Sequence, residues 1–471
     1  MDKFVDRVQE MECLVNEYRR RGSSLVILYG RRRVGKTALL KEFIRNKKAL
    51  YFLATEESET QNRNAFRRKA ADFLGNHLLQ NAEVREWEPL FRTIADTEFD
   101  AKPVLILDEF QYLGKANPAF SSIFQRIWDE VLKDRDVMVI LCGSLISMME
   151  SQTLSYRSPL YGRRTAQIRM QQIPFRHYHE FFPRKSRREQ IEFYSVTGGV
   201  PRYIESFPEN GDIYQAIEDS ILNPSGYLYD EPNFLLRQEV TEIGSYFSLL
   251  KVIAAGNQKL SSISSALEVK ATGLTKYLKT LADLDLVERE IPITEDNPEK
   301  SKRGLYRIKD NYIRFWFLFL YPNRGFLESG YSDIVMKNIR GHLIDRQTAY
   351  VYEEICREHM WELNAGESWP FTFSKVGRWW DGHHEIDVAA LDMEGRNLVL
   401  GECKFWSSPV GKNVLDDLQE KSMFVSWHKE DRRVWYVLFS ISGFTPELQE
   451  EARHRKDLML IDDSNIGRNA V

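Results

Sequence analysis

Leu25–Thr37 reads LVILYGRRRVGKT: an apolar run ends at Gly30, four residues intervene, and Gly35, Lys36 and Thr37 follow. Strand, glycine-bounded loop and helix start in that order predict a P-loop. The glycines let the loop close on phosphate, so that backbone N–H groups and the positive helix N-terminus face the anion. Lys36 is expected to reach the β- and γ-phosphates and Thr37 to offer its hydroxyl to Mg²⁺. Arg31, Arg32, Arg33, Val34 and Ala38 fall within or beside the loop. The context agrees, since Leu25–Tyr29 suits a buried parallel strand and Ala38–Phe43 a helix. A nucleoside triphosphate is therefore the expected ligand.

A second run, Pro103–Leu107 (PVLIL), delivers Asp108 and Glu109 at its C-terminal end, where open α/β sheets bind their ligands. Asp108 is the expected Walker B carboxylate for Mg²⁺, and Glu109 the base that orients the attacking water. A third run, Val137–Leu141, ends in Cys142, Gly143 and Ser144. Ser144 lies where a hydroxyl can sense the γ-phosphate, although a serine after a strand is equally an ordinary turn residue or helix cap.

A chain of 471 residues predicts more than one domain. With 43% hydrophobic and 28% charged residues it has the balance of a globular protein rather than a disordered one. A net charge of −4 gives no global positive field, so nucleic-acid binding must rest on local patches. Cys13, Cys142, Cys356 and Cys403 are far apart, which argues against a disulfide framework or a zinc site and for a reducing cytoplasm. The opening MDKFVDRVQEME is charged from its second residue, and no apolar run reaches membrane-spanning length.

Up to about residue 182 the strands Leu25–Tyr29, Ala49–Leu53, Val104–Leu107 and Val137–Leu141 alternate with helical stretches, as in a doubly wound P-loop domain. A basic helical stretch, Arg184–Glu192, precedes YSVTGGVPRYI, where Gly198-Gly199 breaks the chain and Pro201 can start a helix. Residues 211–237 read as helical around a loop at Asn223–Gly226. From Tyr246 to about Tyr321 the pattern is three helices and a hairpin. The first helix is closed by Gly256, the second is LSSISSALEV, and the third is capped by Thr272; LVEREIPI and GLYRIKD then flank a polar loop. That order predicts a winged helix-turn-helix, whose third helix enters a DNA major groove. Lys276 and Lys279 lie on that helix, and Lys300, Lys302 and Arg303 in the wing. A solvated face accounts for them equally well, and winged helices also serve as protein spacers.

The Trp-rich C-terminal block holds strands at 384–392, 397–406 and 434–440, the first two joined by a turn at Met393–Arg396. Alternation puts Glu402 and Lys404 on one face and Cys403 on the other. Asp387 and Glu402 on neighbouring strands suit a Mg²⁺ site for phosphodiester hydrolysis, with Lys404 steadying developing charge. An acid from VYEEICREH completes it, Glu353 first and Glu354 next. The alternative is a plain cross-strand ion pair. His383 and His384 receive no role.

FVDR (Phe4–Arg7), YGRRRVGKT, LILDEFQYL, SPLYGRRT (Ser158–Thr165) and VTGGVPRYI resemble the archaeal-type ATPases of the STAND class of signalling NTPases, within the AAA+/STAND group. The resemblance implies ATP or ADP as ligand, adenine-side contacts near Val5–Arg7 and near Pro201, and Arg163 or Arg164 as the positive group on the γ-phosphate. GRWW (Gly377–Trp380), EID (Glu385–Asp387) and GECK (Gly401–Lys404) are similar to a domain of unknown function that follows such ATPases and itself resembles the PD-(D/E)XK endonucleases. Ile386 stands where that pattern has proline.

The expected architecture is α/β: a P-loop core over 1–182, a helical lid over 183–240, a winged helix-turn-helix over 241–325 and a restriction-endonuclease-like α/β domain over 326–471. The expected protein is a cytoplasmic ATP-dependent switch coupled to DNA and a Mg²⁺-dependent nuclease-like effector. Its rival is a regulatory scaffold with a degenerate nuclease fold, and self-association stays open.

Overall fold

The computed structural model describes residues 4–365 and 368–466. Its contacts divide the chain into two compact units: residues up to Gln172 with Val200–Arg202, and Ile173–Gly199 with Tyr203 onward.

The first unit is built on a five-stranded, all-parallel sheet in the order β2-β3-β4-β1-β5. The strands are β1 (Ser24–Tyr29), β2 (Ala49–Leu53), β3 (Val104–Asp108), β4 (Met138–Gly143) and β5 (Ala166–Arg169). Every residue of β1, β3 and β4 is buried, as continuous apolar runs in a sheet covered on both faces require. Alternation divides them between two cores. Leu25, Ile27, Leu105 and Leu107 meet Phe66, Trp87 and Phe91, while Val26, Leu28, Ile106 and Ile140 meet Leu39, Leu40 and Phe43. The sequence reading had four strands; β5 escapes it because Ala166–Arg169 is short, polar and at the sheet edge. Parallel register brings Tyr29 beside Gly143 and Leu53 beside Asp108, so the chemistry of three strands gathers at one sheet end.

In the second unit, helices Ile243–Ala254, Leu260–Leu267 and Ala271–Asp283 precede an antiparallel hairpin of β6 (Val287–Glu290) and β7 (Leu305–Ile308). The third helix is not capped by Thr272. Its boundary is Lys270, which is extended and makes no side-chain cap bond, and Thr272 lies inside the first turn. The chain ends in a mixed sheet, β12-β11-β10-β9-β8. Strands β8 (Phe373–Trp380), β9 (Glu385–Asp392) and β10 (Asn397–Lys404) are antiparallel, and β11 (Arg433–Ser440) and β12 (Leu458–Asp462) continue in parallel. The sequence reading lacked β8 and β12 as strands. Gly401 is required inside β10: a Cβ there would lie 2.6 Å from Val437 Cγ1 and 2.8 Å from its carbonyl oxygen. Ile386, Leu400, Leu415, Leu418 and Leu438 fill the core on one face. Among the described residues no helix is long and apolar enough to cross a membrane.

Candidate nucleotide site and carboxylate–lysine centre

The P-loop leaves β1 at Gly30 and enters helix Lys36–Ile44. Arg33 (φ 72°) and Gly35 (φ 96°) take left-handed backbone, which turns the loop back over the sheet end. Lys36 is buried and curls into the loop, its Nζ donating to the carbonyls of Gly30 at 2.7 Å and Arg31 at 2.8 Å. Burial pushes its ammonium below the ordinary lysine range, against the pull of Glu109 and Asp108. Thr37 and Ala38 are exposed at the helix start. Arg31 is buried and Arg32 donates to the Tyr112 hydroxyl at 2.6 Å.

Asp108 ends β3, accepts the Glu109 N–H at 2.9 Å and takes a hydrogen bond from Tyr51 on β2. Thr37 lies near enough to the same phenol to act on its ionisation, so Tyr51 stands beside both residues expected at Mg²⁺. Burial first, and the Asp108 charge next, raise the Tyr51 hydroxyl far above its usual range, keeping it a donor. A carboxylate and a hydroxyl linked this way form a hard-oxygen set that fits Mg²⁺. Glu109 sits in left-handed backbone (φ 53°), a conformation that stores about 1–3 kcal/mol and gathers at functional sites. Its carboxylate accepts from Ser144 Oγ at 2.7 and 3.0 Å and from the Gln111 amide. Sequence reasoning missed Tyr51 and Gln111: only the parallel register brings Tyr51 of β2 beside β3, and Gln111, two residues after Glu109, reads as an ordinary helix-start residue.

Arg7, itself left-handed (φ 73°), donates to the carbonyls of Val34 and Gln171, each at 2.8 Å, bracing the loop from the chain start. Pro201 abuts the loop from the other side, 3.9 Å from where a Cβ on Gly35 would lie. Arg163 is gripped by Asp129 through Nε at 3.0 Å and Nη2 at 2.8 Å, and also bonds the Pro159 carbonyl at 2.7 Å. The charges of Arg169 and, more weakly, Arg164 reach Tyr29, the last residue of β1.

The second constellation is assembled from β9, β10 and two helices. Glu402 is buried, and both of its oxygens are held: Oε2 by Lys404 Nζ at 2.5 Å and Oε1 by Lys421 Nζ at 2.7 Å. Lys404 also lies 3.8 Å from Asp387, which accepts the Cys403 N–H at 3.0 Å. Burial, then the charges of Glu353 and Glu402, push Asp387 up to about 7. Burial pushes Glu402 upward too, but Lys404 and Lys421 outweigh it and hold it below the ordinary range. Of the two helical acids on Ala349–Ala365, Glu353 acts on Asp387, whereas Glu354 pairs with buried Arg307 of β7 at 3.0 Å. Arg307 also holds Glu288 at 3.2 Å and Glu290 at 2.8 Å. Lys421, from helix Lys412–Ser422, is the participant sequence reasoning missed, since a lysine near a helix end looks like any solvated one. Among the described residues no set of three or more His, Cys, Asp or Glu side chains is disposed to hold a metal. Two carboxylates with the remaining positions left to water and phosphate still suit Mg²⁺, which keeps most of its shell.

Lys276 and Lys279 are exposed on the third helix, and Lys279 pairs with Asp283 at 3.1 Å. In the hairpin loop Arg303 bonds Glu295 at 2.8 Å and the Trp380 carbonyl, and Ile293 N–H reaches the Arg378 carbonyl at 3.0 Å. The loop is thereby fastened to β8.

Residues 4–207 match the model of an ATPase domain predominantly from Archaea, and residues 316–416 that of "Archaea bacterial proteins of unknown function". An uncharacterized protein of Methanocaldococcus jannaschii is 36% identical over 438 residues, 92% of this chain and 95% of its own. The chain belongs to this archaeal-type ATPase family. A second protein of that organism, an uncharacterized ATP-binding protein, is 53% identical over 45 residues, 10% of this ATPase and 76% of its own length. The solved Walker-type ATPase of Pyrococcus abyssi has 20% identity and a TM-score of 0.50, covering 67% of this ATPase and 96% of its own chain. That likeness supports the α/β P-loop NTPase fold.

Proposed function

We propose that this ATPase is a nucleotide-dependent switch whose C-terminal unit carries a Mg²⁺-dependent phosphodiesterase centre acting on DNA. The observation that carries the effector half is the convergence of Glu353, Asp387, Glu402 and Lys404 from three elements. Four parts share the work: core 1–182, lid 183–240, winged helix 241–325 and nuclease-like domain 326–471.

At the nucleotide, Lys36 leaves its carbonyl partners for the β- and γ-phosphates, a modest exchange because those bonds are local. Thr37 and Asp108 would hold Mg²⁺ when it is bound, with Tyr51 donating to Asp108. Glu109, fixed by Ser144 and Gln111, accepts a hydrogen bond from the attacking water. Arg7 and Pro201 bound the adenine side. Arg164 is the better candidate for the γ-phosphate, because Arg163 is engaged by Asp129. In the effector, Asp387 and Glu402 would hold Mg²⁺, which activates water and offsets phosphate charge when bound. Lys404 donates to the phosphate oxygen as charge accumulates there. The winged helix contacts DNA through Lys276 and Lys279, with Lys300 and Lys302 ahead of Arg303.

A second reading has one observation in its favour. Both Glu402 oxygens are engaged by lysines, as a purely structural ion-pair cluster would have them. In that reading the nuclease fold is degenerate and the output is protein binding. Incubating the full chain with supercoiled, branched and single-stranded DNA in Mg²⁺ or Mn²⁺, with ATP, ADP or neither, decides between them. Metal-dependent cutting that disappears in Glu402→Ala supports the phosphodiesterase. Neither metal binding nor cutting in any nucleotide state would leave the scaffold.

A further inference from the structure

Each lysine on Glu402 is followed closely in the chain by an exposed aromatic ring. Trp406 comes two residues after Lys404 and is 44% exposed, and Phe424 comes three after Lys421 and is 52% exposed. Single exposed apolar side chains are ordinary on protein surfaces. These two differ in how firmly they are mounted. The Trp406 carbonyl accepts from Arg188 Nη2 at 2.6 Å and from Ser442 Oγ at 2.8 Å, so its backbone is pinned while the ring stays open. The Lys404 ammonium lies 5.9 Å from the centre of that ring. Phe424 donates its N–H to the Lys421 carbonyl at 3.1 Å, and its ring stacks on His384 with centroids 3.9 Å apart and planes 14° from parallel. His384 is steadied in turn by Asp381 at 3.1 Å and directly precedes β9, the strand that carries Asp387.

We propose that Trp406 and Phe424 are base-stacking platforms on either side of the carboxylate–lysine centre, and that its substrate is an unpaired DNA strand. The proposal rests on the phosphodiesterase reading for the identity of the central site, and adds the substrate class. A strand lying through this site sets its phosphates against Lys404 and Lys421 and offers its bases to the two rings. Duplex DNA cannot do this, because its base faces are already stacked on one another and unavailable to side chains. Fixed rings lose little freedom when a base settles on them, and every base has a π-face, so the recognition is indifferent to sequence. Positive groups alone would hold a duplex and a single strand alike; the rings supply the preference.

The test measures anisotropy of a labelled DNA strand of about 20 nucleotides, longer than one typical single-strand site, and of its duplex, with full-length protein in EDTA so that cleavage plays no part. The strand is expected to bind more tightly than the duplex. Trp406→Ala and Phe424→Ala are each expected to weaken strand binding about five- to a hundredfold, the range of one lost base stack. Duplex binding and ATP turnover should stay at the parent value, and Trp406→Phe and Phe424→Tyr should restore strand binding, which separates stacking from misfolding. Equal affinity for strand and duplex, or alanine variants that bind the strand like the parent, would overturn the proposal. Strand binding that needs both rings, in a protein that never cuts in Mg²⁺, would retain it and remove the phosphodiesterase. Cutting of duplex DNA that ignores the rings would do the reverse.

Discussion

The nucleotide site and the carboxylate–lysine centre, the second proposed as a phosphodiester site, both lie at strand ends, yet they are assembled in opposite ways. In the first, the residues that would meet phosphate occupy one loop, and Lys36 rests on carbonyls five and six residues away in the chain. In the second, Glu353, Asp387, Glu402, Lys404 and Lys421 come from two strands and two helices, and the ionisation of Asp387, Glu402 and Lys404 is set by their neighbours in the cluster. A contiguous loop can lose one member and keep its shape. A mutually charged cluster cannot, because removing one member leaves buried partners uncompensated.

The largest effect should separate the two members of the cluster. Glu402→Ala is expected to abolish both Mn²⁺ binding and DNA cleavage, while Lys404→Ala keeps the metal and loses about 10²–10³-fold in cleavage, the scale for one transition-state charge partner. Divalent-metal titration with cleavage assays reads the contrast. Small, equal stability losses of about 1 kcal/mol or less and no metal effect would reduce the centre to an ion pair.

In the loop, Lys36→Ala should lower ATP affinity by at least about 30-fold, from the 2–5 kcal/mol that losing one partner of a desolvated charge pair costs. Calorimetry measures it, and unchanged affinity would move the phosphates elsewhere. Glu109→Gln should bind ATP like the parent and hydrolyse it about 10²–10⁴-fold more slowly, as loss of a positioned base does. Equal turnover would take Glu109 out of the reaction.

A smaller effect belongs to the third helix of the 241–325 segment. Replacing Lys276 and Lys279 together should flatten the log–log salt dependence of duplex binding by about one to two units, for two lost phosphate contacts. Identical affinity at every salt concentration would make that helix a connector, a role that the fastening of its hairpin loop to β8 already favours.

How much of each site was legible follows from the same contrast. LVILYGRRRVGKT and LILDEF state their chemistry locally, because strand, loop and carboxylate are neighbours in the chain; Tyr51 becomes visible only when register sets β2 beside β3, and Gln111, although two residues from Glu109, has no residue type that marks it. Alternation along β10 puts Glu402 and Lys404 together in advance. It has no access to Lys421 or Phe424, which reach the centre through tertiary packing, and Trp406, two residues beyond Lys404, reads as one tryptophan among many. Edge strands β5 and β8 were hidden for a related reason, since half-exposed residues need no apolar run, whereas the apolar run of β12, LMLI, is too short to tell from a helix segment. The cap of Ala271–Asp283 was misassigned because threonine is a favoured cap type, whereas the chain leaves extended geometry two residues earlier, at Lys270.

The last and mildest prediction concerns acid density on the helix Ala349–Ala365, which the P-loop helix lacks. Glu358 is pushed up to about 8 by burial, then by the neighbouring charges of Glu354 and Glu362, against the weaker pull of Arg176. Its proton is therefore held more tightly in the folded chain than in the unfolded one, whose glutamates titrate near 4.5. Between those two values the native state binds the extra proton, so folding stability falls as pH rises, by at most about 1.4 kcal/mol per pH unit for one group. Glu358→Gln keeps the shape and removes the titration. The variant should match the parent near pH 4 and be the more stable of the two above pH 8, in urea unfolding followed across that range. Parallel stability curves would show that Glu358 ionises freely in the folded protein, and the perturbed acids near the carboxylate–lysine centre would reduce to Asp387 and Glu402 on the strands.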